Sequence, residues 1–202
     1  MKRISILTAL VFASGMLLMA CNEKATSASE EAKNMEIKAE IDYLKAGKEL
    51  AVETKSALAK SLVAAIGAGG SEGAVEFCNT RAIPITDSTA LALGASIKRV
   101  SDKTRNSSNQ ATMAELEYIQ NWKSAKAAGK EYLASVQEIG GKMVGYYPIT
   151  TNQMCLQCHG SRNKDINAAT LAKLEKLYPA DQATGYADQE IRGIFVVEMG
   201  KK

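Results

Sequence analysis

The chain has 202 residues, of which 46% are hydrophobic and 23% are charged, and its formal net charge is +3. This composition is typical of a globular protein with one domain-sized core, and it excludes a disordered or fibrous chain. The chain contains no basic tract interleaved with aromatic residues, so the sequence gives no support for nucleic-acid binding.

The N-terminus has the features of an export signal. A basic start, MKR, precedes an uncharged apolar run over residues 4–20. This order predicts a signal peptide, because a spanning helix needs about 20 apolar residues. Residues 18–21, LMAC, resemble the lipobox of bacterial lipoproteins, whose cysteine is acylated and becomes the new N-terminus. We predict a signal peptide over residues 1–20 and lipidation of Cys21; the alternatives are an unlipidated signal with a chance cysteine or a retained anchor helix.

Lipidation implies a location in the cell envelope. The acyl chains on Cys21 would hold the protein on a lipid membrane, facing the periplasm or the exterior. Asn22 follows the cysteine, and no aspartate argues for retention at the inner membrane, so sorting to the outer membrane is favoured. Cleavage also removes Lys2 and Arg3 but no acidic residue, which lowers the formal net charge to about +1.

The mature chain begins with a polar segment and a long helix. Residues 22–34 are small, polar and without periodicity, which predicts a flexible tether over residues 21–34 and one domain over residues 35–202. Apolar residues spaced by three, four or seven then predict an amphipathic helix from residue 35 to about residue 68, with Gly47 as a point of bending. The glycines of residues 67–70 end it.

A second helix and a sheet are predicted to follow. Ser71 can cap this helix, which places Val75, Cys78 and Ala82 on one face and ends at Pro84. The remaining pattern predicts a strand over residues 95–101, a loop over residues 104–110, a helix over residues 111–128, a hairpin over residues 130–149 that turns at the Gly140-Gly141 pair, a helix over residues 167–177 and a strand over residues 191–199. The fold class is α+β, with early helices and an antiparallel sheet of three to five strands.

Residues 155–159 have the sequence CLQCH, the attachment motif of c-type haem. In this motif the thiols of Cys155 and Cys158 add to the two vinyl groups of the porphyrin, and His159 binds the iron. A thioredoxin-like redox pair would need a βαβ pattern, a zinc site would need two further ligands close by, and a disulfide would close a strained ring. The sequence therefore predicts one covalent haem c in a loop between the hairpin and the next helix.

The composition restricts the second axial ligand. His159 is the only histidine, so two histidines from one subunit cannot ligate the iron. The sixth ligand is Cys78, a methionine, a lysine, a tyrosine or nothing. Cys78 has no partner for a disulfide once Cys21 is assigned to lipid, so it is either a small buried apolar residue or a thiolate ligand. The competing methionines are Met143, Met154 and Met199.

Several segments together resemble a known family, the single-haem c-type domain with a PAS-like fold. These are AVEFC at residues 74–78, IKRV at residues 97–100 leading to Arg105, PI ahead of the haem motif, and YPADQATGY at residues 178–186 followed by IRG. The resemblance covers about residues 40–199. It implies a PAS-like antiparallel sheet with long N-terminal helices packed on it and a c-haem loop.

The resemblance also implies roles for residues of this chain. The helical cysteine of the family ligates iron opposite the histidine, and Cys78 matches it. Arg192 and Tyr186 match positions in the closing segment, where they would contact a haem propionate; the alternative for Arg192 is a solvated side chain. The chain departs from the pattern in two loops: residues 106–110 lack the usual prolines, and Gln189 stands where a glycine is usual.

The predicted iron ligands indicate what kind of activity the haem would have. A thiolate opposite histidine favours ferric iron and a low potential, and a six-coordinate haem suits electron transfer or redox sensing without catalysis. The alternative is a gas or small-ligand sensor in which Cys78 is displaced. The sequence shows no kinase, cyclase or methyl-accepting segment, so any signal or electron would pass to a separate partner protein. A peroxidase would need a distal acid–base residue, and the one histidine is committed to iron.

Overall fold

The computed structural model describes residues 20–201, with side chains described for residues 29–40 and 42–201. The sequence forms helices and strands in alternating groups. In chain order these are α1 (Ala20–Ala92), β1 (Ser96–Val100), α2 (Met113–Ala127), β2 (Ser135–Ile139), β3 (Lys142–Thr150), α3 (Gln153–His159), α4 (Ala168–Leu177) and β4 (Ile191–Gly200).

The chain divides into two units, Met1–Ala39 and Glu40–Lys202. The predicted signal peptide lies outside the described residues except for Ala20, and so does the side chain of Cys21. The predicted tether, residues 21–34, has helical backbone instead of an irregular conformation, because its alanine, glutamate and lysine residues favour helix and it contains no glycine or proline. Its role as a tether stays a prediction. Within residues 20–201 no helix has the length and apolar character needed to cross a membrane.

Helix α1 is interrupted at Gly69 and Gly70, within the glycine-rich segment where the sequence predicted that the first helix ends. Gly69 has φ −146° and ψ 22°, and Gly70 has φ 66° and ψ −170°, a conformation open essentially to glycine alone. Gly47 keeps helical backbone, so the helix is not broken at the predicted bend. A Cβ at Gly47 would collide with the phenol of Tyr147, so this glycine provides room for an aromatic side chain of the sheet.

The predicted end of the second helix at Pro84 is wrong, because α1 continues to Ala92. A proline inside a helix costs about 3 kcal/mol. The residues beyond it offset that cost by packing on the sheet, where Ala90 is buried. Ser71 also differs from its prediction: its hydroxyl lies 2.6 Å from Thr170 Oγ1 and accepts from Asn167 Nδ2 at 3.0 Å, so it docks α1 on α4 instead of capping a helix.

The four strands form one antiparallel sheet in the order β1-β4-β3-β2. The β2–β3 hairpin turns at Gly140 and Gly141, whose φ values of 59° and 77° are those of the tight turn predicted there. Strand β4 pairs with β1 on one side and β3 on the other. It is therefore a central strand, and its residues 193–197 are buried in succession, so both of its faces are covered.

Alternation along β4 divides the core. Ile194 and Val196 face α2, where they meet Ile119 and Trp122. Phe195, Val197 and Met199 face α1, in a cluster with Ala51 and Ala90. The sheet thus lies between α1 and α2, which confirms the prediction of an α+β fold with helices packed on an antiparallel sheet.

Both loops that depart from the resemblance have local explanations. Residues 107–109 form one turn of 3-10 helix, and Asn106 Oδ1 accepts from Ser108 N at 3.0 Å, so an asparagine cap orders a loop that lacks proline. Gln189 has φ 62°, the left-handed region that favours glycine.

Candidate functional site

The CLQCH motif forms helix α3, not the loop that was predicted. Asn152 begins the helix, since its Oδ1 accepts from Cys155 N at 3.1 Å. Cys155 and Cys158 are three positions apart and therefore share one helix face, as bonds to two neighbouring vinyl groups require. His159 is the last residue of the helix and lies one turn after Cys155.

A glycine ends α3 for a steric reason. A Cβ at Gly160 would lie 2.6 Å from both the Leu156 carbonyl oxygen and the Asp165 Cβ. The Asp165 carboxylate folds back over this point and accepts from Ser161 N at 2.8 Å. The chain can therefore turn away directly after His159, which leaves the imidazole at the edge of the helix.

The second arm of α1 packs against α3 through an apolar cluster. Cys158 lies beside buried Val75, Leu174 and Tyr178, and its Sγ is 4.0 Å from the Ser71 carbonyl oxygen. Cys78 is one helical turn after Val75 on the same face. The cluster therefore brings Cys78 to the same region as the haem motif.

Electrostatics support the same placement of Cys78. Burial raises the pKa of the Cys78 thiol, and the guanidinium groups of Arg99 and Arg105 act in the opposite direction. Burial also raises the pKa of Cys158 to about 11; Arg105 acts in the opposite direction, and Cys78 and Cys155 add smaller increases. Two thiols and two guanidinium groups thus lie within electrostatic range of one another.

His159 is held in one tautomer. Its Nδ1 lies 2.7 Å from the Ala183 carbonyl oxygen, and because a carbonyl only accepts, Nδ1 carries the proton and donates. Arg192 Nε is 3.4 Å from the same Nδ1, but a protonated Nδ1 has no lone pair for it, so this is a close approach of two donors. Burial lowers the pKa of His159 well below its usual range, and Arg105 and Arg192 act in the same direction. The imidazole is neutral, and its free lone pair is on Nε2.

The segment of residues 181–186 fastens the end of α3. Gly185 N donates to Gly160 O at 2.7 Å, and Tyr186 N donates to His159 O at 3.0 Å. The Tyr186 ring stands edge-on to the His159 ring, with centroids 6.4 Å apart and planes at 84°. With the Nδ1 bond to Ala183, three hydrogen bonds fix the position of the imidazole.

Cationic groups surround this site. Arg192 Nη1 donates to Ser101 Oγ at 2.7 Å and to Lys103 O at 3.0 Å, so Arg192 is tied to the end of β1 and is not the freely solvated side chain of the alternative interpretation. Lys103 Nζ lies 4.4 Å from the centroid of the Tyr186 ring. Burial lowers the pKa of the Arg99 and Arg192 guanidinium groups, which shows that their charges are partly desolvated.

Three buried polar atoms in this region have no hydrogen-bond partner within the described part of the chain: Arg99 Nε, Arg105 Nε and Tyr186 Oη. All three can donate, and a buried donor without an acceptor is costly. A carboxylate would satisfy them. The donor set therefore fits the carboxylates of a haem, which Arg99, Arg105 and Tyr186 would hold.

The other interpretations of the motif agree less well with the structure. Cys78, Cys155 and Cys158 form no disulfide. A thioredoxin-like redox pair stands at the start of a helix in a βαβ unit, whereas α3 follows one strand of an antiparallel sheet. Residues 20–201 contain no group of three or more His, Cys, Asp or Glu side chains placed to hold a metal ion, as a zinc site requires.

The competing methionines are poorly placed to ligate iron. Met143 and Met199 are register partners that pack in the core facing α1. Met199 is seven residues along β4 from Arg192, about 23 Å at the rise of a strand. Met154 lies on α3 itself, on the same helix as His159. Cys78, on the facing helix, is the candidate that approaches from another element.

Three residues of the site were not predicted from the sequence: Arg99, Arg105 and Asp181. The Arg105–Asp181 pair is 3.0 Å apart and largely buried, with exposed side-chain fractions of 12% and 4%. These residues lie in segments that carried the family resemblance, yet arginine and aspartate are common on surfaces, and their spacing in the chain gives no sign of contact.

Comparison with known proteins places these observations in a family. Residues 16–200 match the family model described as Tll0287-like. Among solved structures, the crystal structure of the cyanobacterial heme-protein Tll0287 is similar over 59% of this chain and 71% of its own, at 22% sequence identity and a TM-score of 0.48. No curated protein matches the chain.

Proposed function

From the premise that this chain belongs to the Tll0287-like family, we propose that it is a membrane-tethered cytochrome with one covalent haem c, acting in electron transfer or redox sensing in the cell envelope. The observation that carries the proposal is the fixed imidazole of His159. Its Nδ1–H donates to Ala183 O, so the Nε2 lone pair is available to iron beside the two thiols of the motif.

The chain supplies groups for each part of the cofactor. Cys155 and Cys158 would form the thioether bonds, and His159 would bind iron through Nε2. Cys78 would be the opposite axial ligand, because the cluster of Val75 and Cys158 holds its helix against α3. The unpaired donors Arg99 Nε, Arg105 Nε and Tyr186 Oη would bind the propionates, with Arg192 adding positive charge nearby.

This ligand set determines the kind of activity. When bound, the haem supplies a one-electron couple between ferric and ferrous iron. If both His159 and Cys78 held the iron, the side chains of the chain would leave no position on it for a substrate. We therefore propose no enzymatic activity, and exchange of electrons or signals with a separate partner protein. Acylation of Cys21 would hold the domain on the membrane, with the outer membrane favoured.

The test compares Cys78→Ala with Val75→Ala in protein matured with haem in a bacterial periplasm. Both substitutions shorten a side chain on the same face of the same helix, one turn apart, and Val75 is 2% exposed. We expect a low-spin ferric EPR spectrum with thiolate character in the wild type and in Val75→Ala, and its loss in Cys78→Ala. If Cys78→Ala keeps the wild-type spectrum, Cys78 is a packing residue and the ligand assignment fails.

Further outcomes separate the remaining possibilities. A wild-type protein without covalently bound haem would refute the cytochrome proposal itself. Carbon monoxide binding to the reduced wild type would favour the sensor alternative, in which Cys78 is displaced, and rapid peroxide turnover would contradict the absence of catalysis. Cys21→Ser tests the anchor, because it should abolish the incorporation of labelled fatty acid into the protein.

A further inference from the structure

Arg105 joins three structural segments at the candidate haem site. Its Nη2 lies 2.6 Å from Cys158 O at the end of α3, 3.0 Å from Asp181 Oδ2 and 3.3 Å from Ala183 O. The residue stands after β1, so one guanidinium group links the end of that strand, the haem motif and the closing segment. A planar, rigid group with several donors is suited to this arrangement.

Asp181 binds both Arg105 and the backbone of Ala183. Its Oδ1 accepts from Ala183 N at 2.8 Å, while its Oδ2 binds Arg105. The neighbouring Gln182 N donates to Thr104 O at 2.9 Å. The carbonyl of Ala183 is therefore fixed relative to Arg105 by three separate bonds.

Ala183 O is the acceptor that His159 and Arg105 share. His159 Nδ1 approaches it at 2.7 Å and Arg105 Nη2 at 3.3 Å, which uses both lone pairs of one oxygen. A guanidinium on this oxygen withdraws electron density and makes it a weaker acceptor for the Nδ1–H. A weaker Nδ1–H···O bond leaves less negative charge on the imidazole and makes Nε2 a weaker electron donor.

We propose that the Arg105–Asp181 pair is a positioning device for His159: it fixes the orientation of the imidazole through Ala183 O and limits how strongly Nε2 donates to iron. This inference rests on the proposed function. Arg105 would thus have two separate roles: its Nε would contact a propionate, and its Nη2 positions the iron ligand through the carbonyl that it shares with His159.

The test separates positioning from charge. Arg105→Gln removes the charge, whereas Arg105→Lys keeps the charge but replaces the planar guanidinium group, whose Nη2 makes all three contacts, with a single ammonium. In haem-loaded protein, we expect Arg105→Gln to shift the midpoint potential to a lower value, since a stronger Nδ1–H···O bond and a lost positive charge both favour ferric iron. Arg105→Lys should keep most of the potential but change the EPR g values, because the imidazole is no longer held in the same orientation.

Arg162→Lys is the matched control, because Arg162 forms an exposed ion pair with Glu175 soon after the motif. It should leave both the potential and the g values unchanged. The inference is overturned if Arg105→Lys restores every wild-type value, which would make Arg105 a charge only. It is also overturned if Arg105→Gln alters none of them.

A second measurement needs no haem. His159 is the only histidine, so 15N-histidine labelling of the full chain without haem gives the signals of this residue alone. We expect the wild type to show the Nδ1–H tautomer, and Arg105→Lys and Asp181→Asn to shift the Nδ1 signal, while Arg162→Lys does not. Unshifted signals in Arg105→Lys and Asp181→Asn would overturn the inference, even if the chain proved to carry no haem or if Arg105→Gln failed to accumulate.

Discussion

Gly193 provides a test of how the sheet positions the site. It lies on β4 next to Arg192, just beyond the Val100–Ile194 pair at the end of β1. A Cβ at Gly193 would come within 3.0 Å of the Val100 carbonyl oxygen and to 3.3 Å from the Ser101 Cβ. The first of these atoms belongs to the backbone, so no side-chain rotation can relieve the collision, and the two strands must separate.

The expected cost of Gly193→Ala follows from these contacts. Overpacking costs about 1–3 kcal/mol, and a collision with backbone lies at the upper end. Separation of the strands also weakens the bond of 2.8 Å from Ser101 Oγ to Arg192 O, which adds about 1 kcal/mol. We therefore expect a loss of about 3–4 kcal/mol, equivalent to roughly 6–16 °C in Tm for a domain of this size.

The assay is thermal and urea unfolding of the haem-loaded protein followed by circular dichroism. Gly200→Ala is the control, because it makes the same substitution on the same strand where nothing lies within 4 Å of the added Cβ. We expect Gly200→Ala to change stability by less than about 1 kcal/mol, in the stabilising direction. If the two variants unfold at the same temperature, the close approach of β1 and β4 at Gly193 does not exclude a side chain, and the reasoning is refuted.

Two further predictions concern the site's surroundings. Leu174→Ala should lower the free energy of unfolding in urea by about 2–5 kcal/mol, because Leu174 is fully buried in the cluster that contains Cys158. Leu91 is 82% exposed, so Leu91→Ala should lower it by less than about 0.5 kcal/mol. Equal losses would contradict the role of the cluster. Gln189→Gly should stabilise the fold by about 1 kcal/mol, because φ is 62° at Gln189, and Gln120→Gly in α2 should destabilise it by about the same amount. A destabilised Gln189→Gly would show that the glutamine is not strained there.

The local features of the fold were predictable because their causes lie within a few residues. Adjacent glycines at 140 and 141 accept positive φ, so the hairpin follows from two positions. The glycines at 69 and 70 end the first arm of α1 for the same reason. The helix end predicted at Pro84 was wrong, because Ala90 packs on the sheet and this packing outweighs the local cost of proline. Part of that sheet, β4, lies more than 100 residues later in the chain.

The sequence by itself determined which chemistry is available. The spacing of Cys155, Cys158 and His159 specifies the attachment motif, and a single histidine in the chain excludes a second one as ligand. Neither observation requires any knowledge of tertiary contacts, because covalent spacing and composition are properties of the chain.

Only the tertiary structure decided how that chemistry is held. Packing between the second arm of α1 and α3 brings Cys78 to the motif. The fold also places Arg105 against the carbonyl that fixes His159 and pairs it with Asp181, 76 residues away. Such contacts depend on the relative positions of distant segments, which the burial of β4 between α1 and α2 establishes. No local pattern of arginine or aspartate encodes them.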